Sequence, residues 1–152
     1  LTTSRDYMRE LRSLVGSRPL IMCGASLLIF DRENRVLMLH RNDNDTWCFP
    51  GGAMELGEST EETARLEAYE ETGLRIGDVE LFSVFSGEGM HYVYLNGDEV
   101  HNVDVVYRTN AYEGALRLDH ENRDVRFFRL DELPERISPP VLPVVRKLLT
   151  QV

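Results

Sequence analysis

The segment from Ser59 to Gly73 constrains this chain more than any other. Ser59 with Glu62 three residues later is a capping box, the signature of a helix start. Gly73 suits the C′ position at which helices stop. The spacing predicts a helix over about residues 60–72. Its last turn carries Glu67, Glu70 and Glu71. At about 100° per residue these fall within roughly a 100° arc. Glu67 is an i,i+3 and i,i+4 neighbour of the other two, a spacing at which like charges destabilise. All three sit near the negative end of the helix macrodipole, the wrong end for anions. A helix built only for stability would avoid this arrangement. A divalent cation would reverse its sign, because hard oxygen ligands would then converge on a positive charge. The cluster marks a candidate metal-dependent enzyme.

The totals narrow the class. The chain has 152 residues, about one domain by length. With 42% hydrophobic and 28% charged residues, it can bury a core. A net charge of −9 argues against non-specific binding to nucleic acid or to an anionic membrane. It leaves open a phosphorylated substrate held through metal ions. Cys23 and Cys48 form no CxxC pair, which fits a reduced, cytoplasmic protein. His40, His91, His101 and His120 show neither HxxxH nor HExxH spacing, so no zinc site is expected. The longest apolar run, residues 20–30, is too short to span a membrane and lacks signal-peptide flanks.

Patterning supplies the other elements. Residues 6–15 read as a short helix with Met8, Leu11, Leu14 and Val15 on one side. Gly16 and Pro19 end it. Residues 21–30 are apolar enough for a central strand. A turn at residues 31–34 leads to a second strand over 35–40. Residues 47–52 combine Pro50 with Gly51 and Gly52, which argues against regular structure. Alternation predicts strands over residues 79–86 and 91–95. Asn96-Gly97 signals a two-residue hairpin into a strand over 99–112. One more strand covers 125–130. Leu142, Val145, Leu148 and Leu149 form the apolar stripe of a C-terminal helix. The order points to an α+β domain over residues 1–152, with helices packed on a mixed sheet.

From Gly52 to Leu74 the chain reads GAMELGESTEETARLEAYEETGL. This resembles the Nudix box, GX5EX7REUXEEXGU, where U is a bulky aliphatic residue. Gly52, Glu58, Glu67, Glu70, Glu71, Gly73 and Leu74 match at the required spacing, and Ala68 fills an internal U position with a small side chain. Trp47, Pro50 and Gly51 lead into the box as in that family, and so does the strand-turn-strand ending at His40-Arg41. The departure is Leu66, where the box has arginine. Arg65 cannot replace it from the same helix, since it points about 160° away from Glu67.

The resemblance implies a Nudix-like α/β/α sandwich with a mixed sheet between helices. It implies Mg²⁺- or Mn²⁺-dependent hydrolysis of a nucleoside diphosphate linked to another moiety, with water attacking phosphorus. Glu67, Glu70 and Glu71 are then metal ligands, Glu58 is auxiliary, and a Gly52 carbonyl completes the set. Glu67 and Glu71 carry catalysis. In some members the base comes from a later loop, for which Glu121 or Asp124 is the candidate here. Arg41 is either a surface charge or a phosphate clamp. Tyr92, 18 residues past Leu74, is either a substrate contact of the dinucleoside polyphosphate hydrolases or an ordinary strand aromatic. Trp47 and Phe49 read as packing residues. The partner is a small nucleotide-type molecule, with an RNA 5′ end as the exception to excluding nucleic acid, and a homodimer is allowed. The alternative is a nucleotide-binding or regulatory domain in which Leu66 marks weak or lost catalysis.

Overall fold

The structure is a computed structural model that describes residues 7–151. Helix α2 (Thr60–Thr72) forms where its caps predict. Ser59 Oγ accepts the Glu62 N–H at 3.1 Å. Gly73 closes the helix in the left-handed region, at φ 79°, where a residue without Cβ is favoured. Ala64 and Ala68, one turn apart and fully buried, let the helix lie close on the sheet.

That sheet is mixed. Strand β1 (Leu20–Ile29) pairs antiparallel with β4 (Gly51–Ala53) and parallel with β8 (Glu99–Thr109). Strands β6 (Glu80–Phe85) and β7 (His91–Val93) pair antiparallel with β8. A second sheet runs in the order β10 (Asn122–Phe128), β2 (Val36–Arg41), β3 (Trp47–Cys48). Short β5 (Arg75–Ile76) pairs with β9 (Tyr112–Glu113).

Strand alternation divides the core. Leu27 and Ile29 of β1 join Ala64, Ala68 and Leu74 on the α2 side. Leu28 and Phe30 face the other way, toward Val144, Val145 and Leu148 of α3 (Leu142–Leu149). The result is the expected α+β sandwich, a mixed sheet between helices. Among the described residues no helix is long and apolar enough to cross a membrane.

The structure corrects several expectations. Residues 47–52 are not irregular: they hold β3 and β4. Strand β4 lies so near β1 that a Cβ on Gly24 would stand 2.6 Å from Gly52 O, and one on Gly51 would stand 2.5 Å from Ala25 O. The glycines here permit pairing rather than break it. Helix α1 (Tyr7–Val15) buries no residue, and Leu14 is 80% exposed; Asp6, its expected start, lies outside the described residues. Polar contacts seat it instead. Glu55 Oε1 accepts the Tyr7 N–H at 2.9 Å. Arg12 donates to the carbonyls of Gly16, Arg18 and Glu99. The hairpin at Asn96-Gly97 has a three-residue loop: Gly97 N–H donates to Tyr94 O, Tyr94 N–H to Asp98 O, and Gly97, not Asn96, takes positive φ. This is a type I turn closed by a left-handed glycine. In α3 Val144 is buried and Leu149 is 40% exposed, so the stripe is rotated from the expected one.

One carboxyl is enclosed between β1 and β8. Both oxygens of Asp104 lie 3.0 Å from the donating Ser26 Oγ. One edge still touches a cavity, but protein surrounds the rest, and burial pushes this carboxyl up to about 6. The native state therefore holds a proton that the unfolded chain, at about 3.9, releases. The stability tied to Asp104 is complete below about pH 4 and is lost as pH rises through about 6. The loss above that range is about 3 kcal/mol, at roughly 1.4 kcal/mol per pH unit. Asp104→Asn should raise the urea midpoint at pH 7.5 and leave little gain at pH 3.5. An equal change at both pH values would show that the Asp104 carboxyl titrates alike in the folded and unfolded chain.

Candidate active site

Two glutamates of α2 reach back to the glycines of β4. Glu71, only 6% exposed, accepts the Gly51 N–H at 2.9 Å. Glu67 lies over the next residue: a Cβ on Gly52 would stand 2.6 Å from its Cδ and 2.9 Å from each carboxylate oxygen. The Glu67 contact needs bare backbone at 52, and the pairing of β4 with β1 needs it at 51. Glu70 is exposed on the flank of the same turn.

Burial drives the Glu71 carboxyl well above the usual carboxylate range. The Gly51 N–H pulls it down, the charges of Glu67 and Asp119 push it up, and Arg41 offsets part of that. Beneath it, burial and the Glu71 charge push the Cys48 thiol up to about 12, so it stays protonated.

Asp119 is brought in by the loop over residues 114–121, which docks on the C-terminal end of α2. Arg117 N–H donates to Thr72 O at 2.9 Å. Its Nη1 and Nη2 donate to Glu70 O at 3.1 Å and Tyr69 O at 3.0 Å, and the guanidinium stands 5.4 Å from the Tyr69 ring centre. This cation satisfies carbonyls left over at the helix end and counters the negative pole. Asn122, buried at the start of β10, donates from Nδ2 to Asp119 Oδ1 at 2.9 Å, while its own Oδ1 has no hydrogen-bond partner.

The other expected residues fall as follows. Glu58 accepts the Glu55 N–H at 3.0 Å and the Thr63 hydroxyl at 2.8 Å, which seats the start of α2. Arg41 ends β2 and gives Asp43 a two-pronged contact, Nε to Oδ1 and Nη2 to Oδ2, each 2.9 Å. The Tyr92 hydroxyl is 3.0 Å from the donating Asn44 Nδ2, and its ring meets Tyr94 edge-on at 5.0 Å. Glu121 is exposed, 3.8 Å from His120 Nε2, and Asp124 pairs with Arg126. Sequence reasoning missed Asp119, Arg117 and Asn122. Their signal was the polar segment after Gly114, in which one acid looks like another. Leu66 is 42% exposed, and Arg65 turns away to Glu61 at 3.9 Å. Tyr94, Arg41, Gly51 and Gly52 border a cavity of about 600 Å³, a size that takes a small ligand. Asp104 and Asn102 stand on its floor and α1 closes one side with Met8 and Arg9.

The donor chemistry fits a hard divalent cation. The charges of Glu67 and Asp119 act on Glu71 beside the glycine backbone of β4, and the charge near it is mostly negative. A cation beside a buried glutamate would offset the burial that raises its proton affinity.

Comparison with known proteins agrees. Residues 22–148 match the model of the NUDIX domain. A MutT-like protein of Streptomyces ambofaciens is 31% identical over 122 residues, 80% of this chain and 73% of that protein. An ADP-ribose pyrophosphatase of Methanocaldococcus jannaschii is 30% identical over 110 residues, 70% of this chain and 62% of that protein. The crystal structure of a MutT NUDIX hydrolase from Burkholderia pseudomallei superposes with TM-score 0.72 at 23% identity, over 85% of this chain and 98% of that one, a shared fold. Members of the family generally use divalent metals. A match that runs from β1 to α3, with a relative alike over most of both sequences, is membership: this chain belongs to the Nudix family and is a diphosphohydrolase of that family.

Proposed function

We propose that this chain cleaves the pyrophosphate bond of a small nucleoside diphosphate linked to another moiety. Water attacks phosphorus, and Mg²⁺ or Mn²⁺ is held by Glu67, Glu70 and Glu71. The observation that carries this reading is the convergence of Glu67 and Glu71 on Gly51 and Gly52 at the edge of the cavity. When bound, such a cation neutralises phosphate oxygens and lowers the pKa of water.

The chain's own groups divide the remaining work. Glu71 fixes β4 through the Gly51 N–H and so places the Gly52 carbonyl. Glu67 orients the water and accepts its proton. Asp119 takes the place expected of Glu121 as the nearby loop acid, because its charge acts on Glu71. Glu58 seats the helix and stands as an auxiliary ligand. Arg41 and Arg9 bring positive charge to the cavity wall for phosphate, and Met8, Met22 and Met90 give the nucleoside an apolar lining. Relatives include RNA pyrophosphohydrolases, one of Shewanella piezotolerans being 37% identical over 57 residues. The net charge of −9 favours a small molecule over a polyanion.

A panel of nucleoside triphosphates, dinucleoside polyphosphates, nucleotide sugars and 5′-triphosphate RNA, each with Mg²⁺ or Mn²⁺, tests the reading. A nucleoside monophosphate and a phosphorylated leaving group are the expected products. Glu70→Gln should weaken metal binding by calorimetry and cut kcat roughly a hundredfold, about 2.7 kcal/mol of barrier. Unchanged binding and rate in that variant would remove Glu70 from the site. Binding without turnover of any compound would favour the regulatory alternative, for which Leu66 is the motivating residue.

Gly52→Ala would place a methyl where the Glu67 carboxylate lies. That side chain can swing aside, so we expect kcat to fall about tenfold or more, ~1.4 kcal/mol, with a melting temperature close to the parent's. Full activity in Gly52→Ala would mean that the Glu67 position is not the reactive one.

Leu66 is exposed, so arginine there meets no burial penalty of the kind that destabilises a core guanidinium. A guanidinium beside Glu67 would hold its carboxylate in one orientation by a charge-assisted bond. Leu66→Arg should raise kcat about tenfold with KM nearly constant. No gain would mean that the Glu67 carboxylate is already held by the Gly52 backbone.

A further inference from the structure

We propose that the outer face of the β7–β8 hairpin is a second metal site, for an imidazole-preferring cation such as Zn²⁺, with His91, Glu99 and His101 as ligands. His91 and His101 are direct cross-strand partners. Glu99 lies two residues before His101, so strand alternation puts it on the same face. It pairs with Val93, which places it diagonal to His91.

The side chains follow the backbone. His91 Nε2 is 2.8 Å from Glu99 Oε2. The two imidazole rings are 4.7 Å apart between centres and inclined by 41°. One ligand atom from each of the three residues lies within 4.8 Å of the others. Tetrahedral zinc, with bonds near 2.0–2.1 Å, sets its ligand atoms about 3.4 Å apart. Small side-chain rotations close that difference without moving the strands. A surface ion pair accounts for His91 with Glu99, but it does not bring a second imidazole beside the first. Two imidazoles and a carboxylate leave a fourth position for water.

This site differs in kind from the glutamate turn. That site is all oxygen, which suits Mg²⁺ or Mn²⁺; this one is nitrogen-rich, which suits zinc, nickel or copper. It also lies on the opposite face of the strand that walls the cavity. Val100, Asn102, Val103 and Asp104 of β8 line the cavity, while Glu99 and His101 do not, lying across the strand from Val100 and Asn102. A cation here would tie β7 to β8 behind that wall. The hairpin is also held by the donation from Arg12 Nη2 to Glu99 O at 2.7 Å.

Calorimetric titration of the full chain with Zn²⁺, with Mg²⁺ in saturating excess, tests the site. One equivalent should bind and raise the melting temperature. His91→Gln and His101→Gln should each weaken binding at least about tenfold, ~1.4 kcal/mol. Cys23, exposed on the neighbouring strand, is the competing ligand, so Cys23→Ser should bind as the parent does. No zinc uptake by the parent would overturn the proposal. So would parental affinity in the double histidine variant, or loss of binding in Cys23→Ser. None of these results bears on the hydrolase reading, which rests on the glutamates of α2.

Discussion

The hydrogen bond from Gly51 N–H to the buried Glu71 carboxylate joins the two layers on which the site depends. It links the three-residue strand β4 to the last turn of α2. A side chain on Gly24 or Gly51 would push β4 off β1, and one on Gly52 would displace Glu67. The same bare backbone therefore serves strand pairing on one side and carboxylate contact on the other. Charge-assisted bonds to backbone N–H groups are among the stronger hydrogen bonds in proteins. Here one also lowers the proton affinity that burial raises.

The crowded negative end of α2 persists because several groups offset it together. Gly73 takes the left-handed cap, and its N–H reaches Tyr69 O. Arg117 covers the carbonyls of Tyr69 and Glu70. Thr72 bonds Ala68 O from its hydroxyl and receives the Leu74 N–H. These contacts satisfy the helix end without neutralising the carboxylates. Stability at this helix end comes from atoms other than the carboxylates proposed to hold the metal.

Much of this was legible from residue order. Capping chemistry located α2 because caps are local and depend on single side chains, Ser59 and Gly73 above all. The spacing of Glu67 and Glu71 was enough to bring both to the glycines of β4, because a helix converts spacing directly into a face. Non-local features were hidden. Strand β4 looked irregular because glycine weakens a strand in isolation, and only the approach of β1 makes it necessary. Asp119 was indistinguishable from Glu121 until Arg117 docked the loop. The register that pairs His91 with His101 depends on a turn whose loop length Asn96-Gly97 alone did not reveal. Leu14 and Leu149 misled because an apolar stripe names a face and not the partner that covers it.

The parallel pairing of β1 with β8 sets how this molecule must assemble. Leu20 lies beside Val100 and Ile29 beside Thr109, so the central ladder joins segments about 80 residues apart in the chain. Closing such a loop costs chain entropy before any contact repays it. Helix α2 and the β7–β8 hairpin are local and can form within microseconds. The central ladder must wait for an encounter between distant strands, and folding rates fall as such non-local contacts dominate. The cavity floor, built from Ser26 on one of these strands and Asp104 on the other, thus comes into being late. A chain halted before that encounter would hold its glutamates on a finished helix with no cavity beside them.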